Sequence, residues 1–283
     1  MKTFYTLLLS ILGLTHVFAQ DELQVMTFNI RLNTSADSLN AWPYRKDKVA
    51  SQILFHMAHI IGVQEALHDQ MVDLKNLLPS YKYVGVGRDD GKQGGEYSAI
   101  FYDTVRLQLL HSETFWLSEQ PNVPGSKSWD AAITRIVTWA KFTDRKTKKT
   151  FYSFNTHFDH MGQEARRQSA LLLLKKIREI AGKQAVIVTG DFNSTPQDEP
   201  IRLLTDAQSP FYLIDTKSIS KQPHYGPTGT FNGFGPKERD NDPIDFIFIR
   251  NRIRVLQHAT LSQSWQGRFS SDHFPVFTVL QFE

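Results

Sequence analysis

Three short segments in the C-terminal third carry acids and a histidine at the ends of apolar, strand-like runs: Gly190-Asp191-Phe192-Asn193, Ile244-Asp245-Phe246-Ile247-Phe248 and Ser271-Asp272-His273-Phe274. Hydrolysis of a phosphate ester needs this combination. It requires an oxygen-liganded metal to neutralise developing charge, a carboxylate or imidazole to take a proton from water, and donors to hold the phosphoryl oxygens. Gly190 lets the chain turn where a strand ends, and Asp191 and Asn193, two apart, can face one side, the first toward water and the second toward phosphate. An imidazole needs an acceptor to fix its tautomer. Asp245 is the natural partner of His273, because a lone charge in an otherwise apolar strand is costly unless paired. A purely structural salt bridge is the competing role for Asp245.

Earlier segments add to this set. Asn29 ends Thr27-Phe28-Asn29 and Glu65 ends Val63-Gln64-Glu65, so both would project from neighbouring strand ends. A carboxylate with an amide oxygen suits Mg²⁺, which keeps several waters and takes one or two carboxylates. Taken alone, each is equally a turn former or a solvated charge. Asn155-Thr156-His157-Phe158-Asp159-His160 brings two imidazoles and a carboxylate together after a strand. His157 could donate to a phosphoryl oxygen and Asp159 could orient a neighbour or touch metal. A His/Asp/His zinc cluster is the rival reading, and Asp159 as cap of the following helix is the structural one.

The elements that must position these residues can be read from hydrophobic period. Leu23 to Ile30 is apolar and β-prone, Pro43 to Met57 has helical spacing with Pro43 suited to a first turn, and Ile60 to Gln64 is a second strand. A helical pattern from His68 to Leu78 stops at Pro79. Short strands follow at Tyr81 to Gly87, Tyr97 to Tyr102, Val105 to Leu110 and Glu113 to Leu117. Ile136 to Phe142 and Thr150 to His157 flank a basic turn as a hairpin, Gln163 to Ala181 is the clearest helix, and Val186 to Thr189 is a buried strand. A short helix at Asp198 to Thr205, a Gly/Pro segment from Pro223 to Pro236, and strands at Asp245 to Ile249, Val255 to Leu261 and Val276 to Phe282 complete the chain. Many short strands with a few helices predict two packed sheets with helices outside them, in one domain spanning residues 20–283.

Residues 1–19 read as a signal peptide, with Lys2, an apolar stretch around Leu7 to Leu14, and Val17-Phe18-Ala19 before Gln20. The expectation is therefore an exported protein, periplasmic or extracellular, with no membrane span after cleavage and acting as a monomer. Ser10, Thr15 and His16 interrupt the stretch, which argues against a membrane anchor. The chain has no cysteine, which excludes disulfides, a thiolate zinc site and a thiol nucleophile. Its net charge is +3, one unit lower without Lys2, and the one basic run, Arg145 to Lys149, reads as a surface turn. That balance does not support tight, non-specific DNA binding.

The ordered set Phe28-Asn29, Gln64-Glu65, Thr156-His157, Gly190-Asp191-Phe192-Asn193, Ile244-Asp245-Phe246-Ile247 and Ser271-Asp272-His273 resembles the endonuclease/exonuclease/phosphatase superfamily over residues 23–282. That superfamily includes deoxyribonuclease I, exonuclease III, deadenylases, neutral sphingomyelinases and inositol polyphosphate 5-phosphatases. The resemblance implies a deoxyribonuclease I-like fold of the α/β class, a four-layer α/β/β/α sandwich of two packed mixed sheets, and Mg²⁺- or Mn²⁺-dependent phosphoester hydrolysis. It implies Glu65 as principal metal ligand with Asn29 beside it and Asp272 on the metal side. It makes His273, paired with Asp245, a base or phosphate-contacting imidazole, has Asp191 position the water, and has Asn193 and His157 stabilise the transition state. Tyr97 and Arg135 match a mid-chain phosphate-contacting Tyr or Arg loosely, and Asp159 joins them as a candidate substrate- or phosphate-binding residue; Asp159 with His160, like Trp42 and Arg45, looks like a trait of a secreted bacterial branch. Trp129, Phe231 and Phe234 lie in loops that could frame a substrate.

The expected function is a secreted metal-dependent phosphodiesterase or nuclease, with nucleic acid as substrate. The alternative is a phosphatase or sphingomyelinase-like hydrolase of a sugar, inositol or lipid phosphate head group, which the near-neutral charge suits at least as well. A non-catalytic binding protein on the same fold is disfavoured because Glu65, Asp191, Asp245, Asp272 and His273 are all present. An acyl hydrolase lacks its Gly-x-Ser-x-Gly elbow.

Overall fold

The structure, a computed structural model, describes residues 21–235 and 241–283; the leader expected over residues 1–19 lies outside the described residues. In chain order the elements are β1 (Glu22–Asn29), α1 (Lys46–Phe55), β2 (Ile60–Ala66), α2 (His68–Leu77), β3 (Tyr81–Val84), β4 (Tyr97–Asp103) and β5 (Leu107–Trp116). These are followed by β6 (Ile136–Asp144), β7 (Thr150–His157), α3 (Gln163–Ala181), β8 (Ala185–Asp191), α4 (Glu199–Thr205) and β9 (Ile214–Asp215). The chain ends with β10 (Asp245–Arg250), β11 (Ile253–Thr260), β12 (Ser264–Trp265), β13 (Arg268–Phe269) and β14 (Val276–Phe282).

Two differences from the sequence reading have local causes. Pro43 belongs to a 3₁₀ turn, Trp42–Tyr44, and the α-helix begins only at Lys46. The two strands expected between Val105 and Leu117 are one, β5, whose pairing with β6 slips between Leu109 and His111; the irregularity breaks the alternation that marks a continuous strand. Among the described residues no helix is long and apolar enough to cross a membrane.

One sheet has the order β11-β14-β1-β2-β4-β3 and the other β5-β6-β7-β8-β10-β9. Each contains one parallel pair among antiparallel ones: β1 with β2, and β7 with β8. The crossovers are made by α1 and α3, each packed on the outer face of its own sheet. Side chains alternate accordingly. Leu23 and Val25 of β1 point between the sheets toward Phe142, Phe151 and Ile187, while Met26 and Phe28 point outward to Val49, Ile53 and Met71. On the far side Phe154, Val186 and Val188 meet Leu173 and Ile177 of α3. With both faces covered, the strands read as apolar runs rather than polar–apolar alternation, and the result is the four-layer α/β/β/α sandwich.

A fully buried polar cluster ties the sheets together. Asn155 of β7 donates through Nδ2 to the carbonyls of Val63 and Ala99 in the other sheet, both at 2.9 Å. Its Oδ1 accepts from Gln64 Nε2 at 2.7 Å and Thr189 Oγ1 at 3.0 Å. Gly62 permits the approach, since a Cβ there would collide with the side chains of Thr189 and Asn155.

Replacing Asn155 with Ala removes four buried hydrogen bonds. Gln64 Nε2 keeps Thr27 Oγ1 and the Gly62 carbonyl, and Thr189 Oγ1 keeps the Phe154 carbonyl. The bonds to the Val63 and Ala99 carbonyls across the sheets are lost, and stripping partners from buried polar groups is expensive. We expect Asn155→Ala to lower unfolding stability by about 3 kcal/mol, read by urea denaturation. A second expectation concerns pH. His59 Nδ1 accepts the Gln24 amide at 3.1 Å, and burial, aided by Arg106, lowers this imidazole to about 4. Its folded pKa lies below the unfolded value, so the stability it contributes is present above pH of about 6.5 and is lost as pH falls toward 4. The urea midpoint should fall across that window, and His59→Asn should flatten the fall.

Candidate active site

Register alone brings the chemistry-bearing residues to one edge. β1, β2, β7 and β8 all end there, with Asn29, Glu65, His157 and Asp191 at or next to their last positions. β10 starts there, with Asp245 paired opposite Asp191. β14 runs antiparallel to β1, so the residues before Val276, including Asp272 and His273, arrive beside Asn29. Ser271 Oγ donates to the Asn29 carbonyl at 2.7 Å and fixes that arrival. The carboxyl ends of parallel strands are where α/β sheets place ligands.

Glu65 owes its direction to a bulge. The pairing of β2 with β4 slips between Val63 and Ala66, and Glu65 sits there at φ 65°, a left-handed conformation that is strained for a residue with a Cβ. Arg31 and Asn193 adopt the same region, at φ 57° and 45°. Strain at three positions around one cavity is the pattern of a functional site.

Glu65 and Asp272 form the acidic side. Their side chains are 14% and 12% exposed, and one guanidinium, Arg31, stands 3.8 Å from each. Asp37 holds that guanidinium from the other side at 3.0 Å. Burial pushes the Asp272 carboxyl up, and the nearby Glu65 charge adds to this. Two carboxylates sharing one cation, with oxygen donors only, suit a hard divalent ion.

Asn29 lies beneath them. Its Nδ2 donates to Glu65 Oε1 and Asp191 Oδ2, both at 3.0 Å, while its Oδ1 accepts the Arg31 amide at 3.0 Å. Where the sequence suggested an amide oxygen facing a metal, this amide instead holds the two carboxylates at a fixed spacing. Asn193 likewise turns inward. Its Nδ2 donates to the Phe158 carbonyl and faces His157 Nε2, both at 3.0 Å, so of the two hydrogens expected to serve phosphate one holds a backbone carbonyl and the other the imidazole.

Asp191, Asp245 and His273 form a buried cluster whose ligand atoms lie within 4.8 Å of one another, a spacing a metal could use. Its hydrogen bonds also make it proton machinery. His273 Nδ1 donates to Asp245 Oδ2 at 2.8 Å, and Nε2 stands 3.8 Å from Asp191 Oδ2. Burial alone would lower the imidazole, but the carboxylates of Asp245 and Asp191 overcome that and hold it well above 6.5. Burial, reinforced by the Asp245 charge, raises Asp191 to about 7. His157 goes the other way: burial and the Arg135 charge keep it neutral, well below 6.5. One cationic imidazole, one neutral imidazole and one carboxylate of raised pKa therefore face the same space.

That space is a cavity of about 580 Å³ bounded by Glu65, Asp272, His157, Asp191, Asn193 and His273, together with Arg31, Glu96, Arg135 and His160. Apolar contacts come from Leu32, Ile133, Ile244 and Phe231, whose ring meets His273 edge-on at 5.1 Å. Of the three loop aromatics, Phe231 is the one in the wall.

Two expected substrate contacts are elsewhere. The Tyr97 hydroxyl donates to the Lys92 carbonyl at 3.0 Å and meets His68 at 3.1 Å, away from the cavity. Asp159 is buried and accepts four backbone amides, from Ala132, Ile133, Met161 and Gly162, which is the structural role of a loop tether before α3. Arg45 is also structural. Its guanidinium donates to the carbonyls of Ile30, Arg31, Asn40 and Ser270 and stacks near Trp42 and Phe234, bracing the loop that carries Arg31. Sequence reasoning missed Arg31 and Glu96 as cavity residues; Arg31 had a signal, its place two residues after Asn29, and Glu96 had none.

Comparison with known proteins agrees with this architecture. The profile of the Endonuclease/Exonuclease/phosphatase family matches residues 26–273. The crystal structure of an endonuclease/exonuclease/phosphatase from Bacteroides vulgatus is 43% identical, with TM-score 0.89, covering 93% of this chain and all of that one. A mannosyl-6-phosphatase of Bacteroides thetaiotaomicron VPI-5482 is 37% identical, with TM-score 0.87, covering 92% of this chain and all of that one. Protein L388 of Acanthamoeba polyphaga mimivirus is 29% identical over 182 residues, 61% of this chain and 67% of that protein. Across the curated relatives it matches, the chain spans between 25% and 73% of their length. The chain belongs to the Endonuclease/Exonuclease/phosphatase family, hydrolases of phosphoester bonds that use divalent metals.

Proposed function

We propose that this chain is a divalent-metal-dependent phosphomonoesterase acting on a small phosphorylated polyol, with a sugar phosphate as the leading substrate class. This reading takes the head-group alternative over the nuclease. The observation that carries it is the charge of the cavity wall. Two guanidiniums, Arg31 and Arg135, face four carboxylates there, and among the described residues no lysine lines it. Arg31 is already held by Asp37, Glu65 and Asp272. A nucleic-acid track needs several free cations along successive phosphates. A single phosphoryl group bound in a confined cavity needs only one metal and a few donors. The mannosyl-6-phosphatase relative supports the same choice.

The residues present fit a metal. Glu65 and Asp272 stand on two sides of the same guanidinium, each 3.8 Å from one of its nitrogens, so the two carboxylates supply oxygen donors to one cationic region. A divalent ion held by these two side chains would supply charge to the phosphoryl oxygens and to the departing oxygen. Asp191 holds the water and takes one of its protons as the oxygen bonds to phosphorus. Asn29 and the Asn193 amide fix the Asp191 oxygens at 3.0 and 2.9 Å. His273, with Nδ1 committed to Asp245, turns Nε2–H to a phosphoryl oxygen. The bond from phosphorus to the alcohol oxygen breaks, the alcohol leaves with a proton from solvent, and Asp191 returns its proton to solvent. Residues 1–19 would export the enzyme.

The decisive assay compares p-nitrophenyl phosphate with bis-p-nitrophenyl phosphate in Mg²⁺, Mn²⁺ or EDTA. We expect cleavage of the monoester, abolished by EDTA, with kcat lowered about 10³-fold by His273→Ala. Cleavage of the diester alone would sink the monoesterase reading. Asp245→Asn keeps the shape but removes the charge that protonates His273, and kcat should fall about 10²-fold. Raising salt from about 50 to about 200 mM should change kcat/KM by less than about threefold, where a nuclease loses orders of magnitude.

A further inference from the structure

Glu96 sits in no motif, yet it occupies the cavity wall beside Arg135. It lies at the end of the tight turn that leads into β4, whose backbone is closed by hydrogen bonds from Arg88 to the Glu96 carbonyl at 3.1 Å and from Asp89 to Gly94 at 3.0 Å. Arg88 Nη1 donates to Glu96 Oε2, and Arg135 Nη1 stands 4.0 Å from the same oxygen. Arg88 thus orients the carboxylate through one oxygen, and the Arg135 charge stands beside that oxygen. Among the described residues no hydrogen bond reaches Oε1. Arg135 is 5% exposed; its Nη2 meets His160 at 3.4 Å, and its Nη1 makes no hydrogen bond among the described residues. An acceptor oxygen and a donor nitrogen therefore stand side by side in the cavity wall, on side chains that are largely buried.

This pair has a clear chemical complement. A hydroxyl group both donates and accepts, so two neighbouring hydroxyls can donate a hydrogen bond to Glu96 Oε1 and accept one from Arg135 Nη1. Hydrogen bonds to charged partners are about twice as strong as neutral ones. The same carboxylate is a poor neighbour for a second phosphate. A carboxylate retained beside a phosphoryl site works against the very ligand the site binds, unless it rejects anionic flanks and rewards neutral polar ones.

We infer that Glu96 and Arg135 form an alcohol subsite that reads neighbouring hydroxyls on the leaving group, selecting monoesters of neutral polyols, hexose phosphates foremost, over nucleotides and phosphodiester chains. The subsite rests on the phosphomonoesterase reading above and assigns its substrate side. Glu96 and Arg135 contact the alcohol, and Arg88 is a positioning residue acting through Glu96.

The test is a substrate-by-variant comparison in the metal-loaded enzyme. Mannose 6-phosphate carries the hydroxyls and p-nitrophenyl phosphate lacks them. Glu96→Gln should lower the ratio of kcat/KM for mannose 6-phosphate to kcat/KM for p-nitrophenyl phosphate about tenfold, mostly through KM of the sugar, and Glu96→Ala should lower it further. Kcat/KM for a sugar diphosphate should rise in Glu96→Gln relative to mannose 6-phosphate. A purely structural Glu96 would depress both monoesters alike and leave the ratio where it was, and that result overturns the subsite. Glu96→Gln is isosteric, so the comparison survives if the Ala variant does not fold. If wild-type enzyme cleaves neither monoester, the phosphomonoesterase reading fails instead, a result distinct from an unmoved ratio in an active enzyme.

Discussion

The hydrogen bonds of the Asn155 side chain decide where the two sheets stand relative to one another, and the active edge depends on that. Neither sheet carries a complete set of chemical groups. Asn29, Glu65, Asp272 and His273 come with the first sheet, and His157, Asp191 and Asp245 with the second. Apolar packing between sheets is non-directional and tolerates sliding. Directed bonds from Asn155 to two carbonyls of the facing sheet, with Gln64 and Thr189 closing the cluster, remove that freedom directly beneath the cavity. Gly62 contributes by lacking a side chain, so that the sheets can approach closely enough for the bonds to form.

Above that weld the site is an arrangement of charges that would repel one another if left alone. Asp191, Asp245 and Asp272 are all buried, with Glu65 close by. The chain manages this locally: imidazole between Asp191 and Asp245, amide between Asp191 and Glu65, guanidinium between Glu65 and Asp272. Each counter-group does a second job. His273 becomes a standing proton donor, Asn29 a spacer, and Arg31 marks where a divalent cation is wanted. The strained backbone at Arg31, Glu65 and Asn193 is held by these bonds, and by Arg45, whose guanidinium clamps the carbonyls of the loop following β1.

The same logic of engaged charge separates this cavity from a nucleic-acid groove. The family fold hosts many phosphoesterases, so the fold alone does not choose among substrates. Here Arg31 is tied to carboxylates and Arg135 is buried 4.0 Å from Glu96, the aromatic contribution is one ring against His273, and a carboxylate faces the space beyond the phosphoryl site. Such a wall favours one phosphate on a neutral, hydroxyl-rich partner.

Much of this was legible in the chain itself. The six ordered motifs specify the family and the chemistry, and hydrophobic period locates most strands and the long helix, because period reflects local backbone geometry. Signals without local expression were lost: the bulge that joins β5 into one strand, the two-residue strands, and the bulge that aims Glu65. Side-chain direction was likewise not legible. Tyr97 and Asp159 sit beside the right motifs, yet one turns to the Lys92 carbonyl and the other gathers four loop amides. Asn29 and Asn193 are in the expected place but spend their amide hydrogens on carboxylates, a carbonyl and an imidazole. Glu96 enters the wall only because a turn folds back, with Arg88 of the same turn holding its carboxylate and Arg135, from another strand, standing beside it. Residue types in their order along the chain suffice to specify the chemistry and the fold that carries it. Tertiary structure decided which atoms face the substrate, because Asn29 meets Asp191 across 162 residues and His273 across 244, and contacts at that separation follow from sheet register and inter-sheet packing rather than from any local pattern.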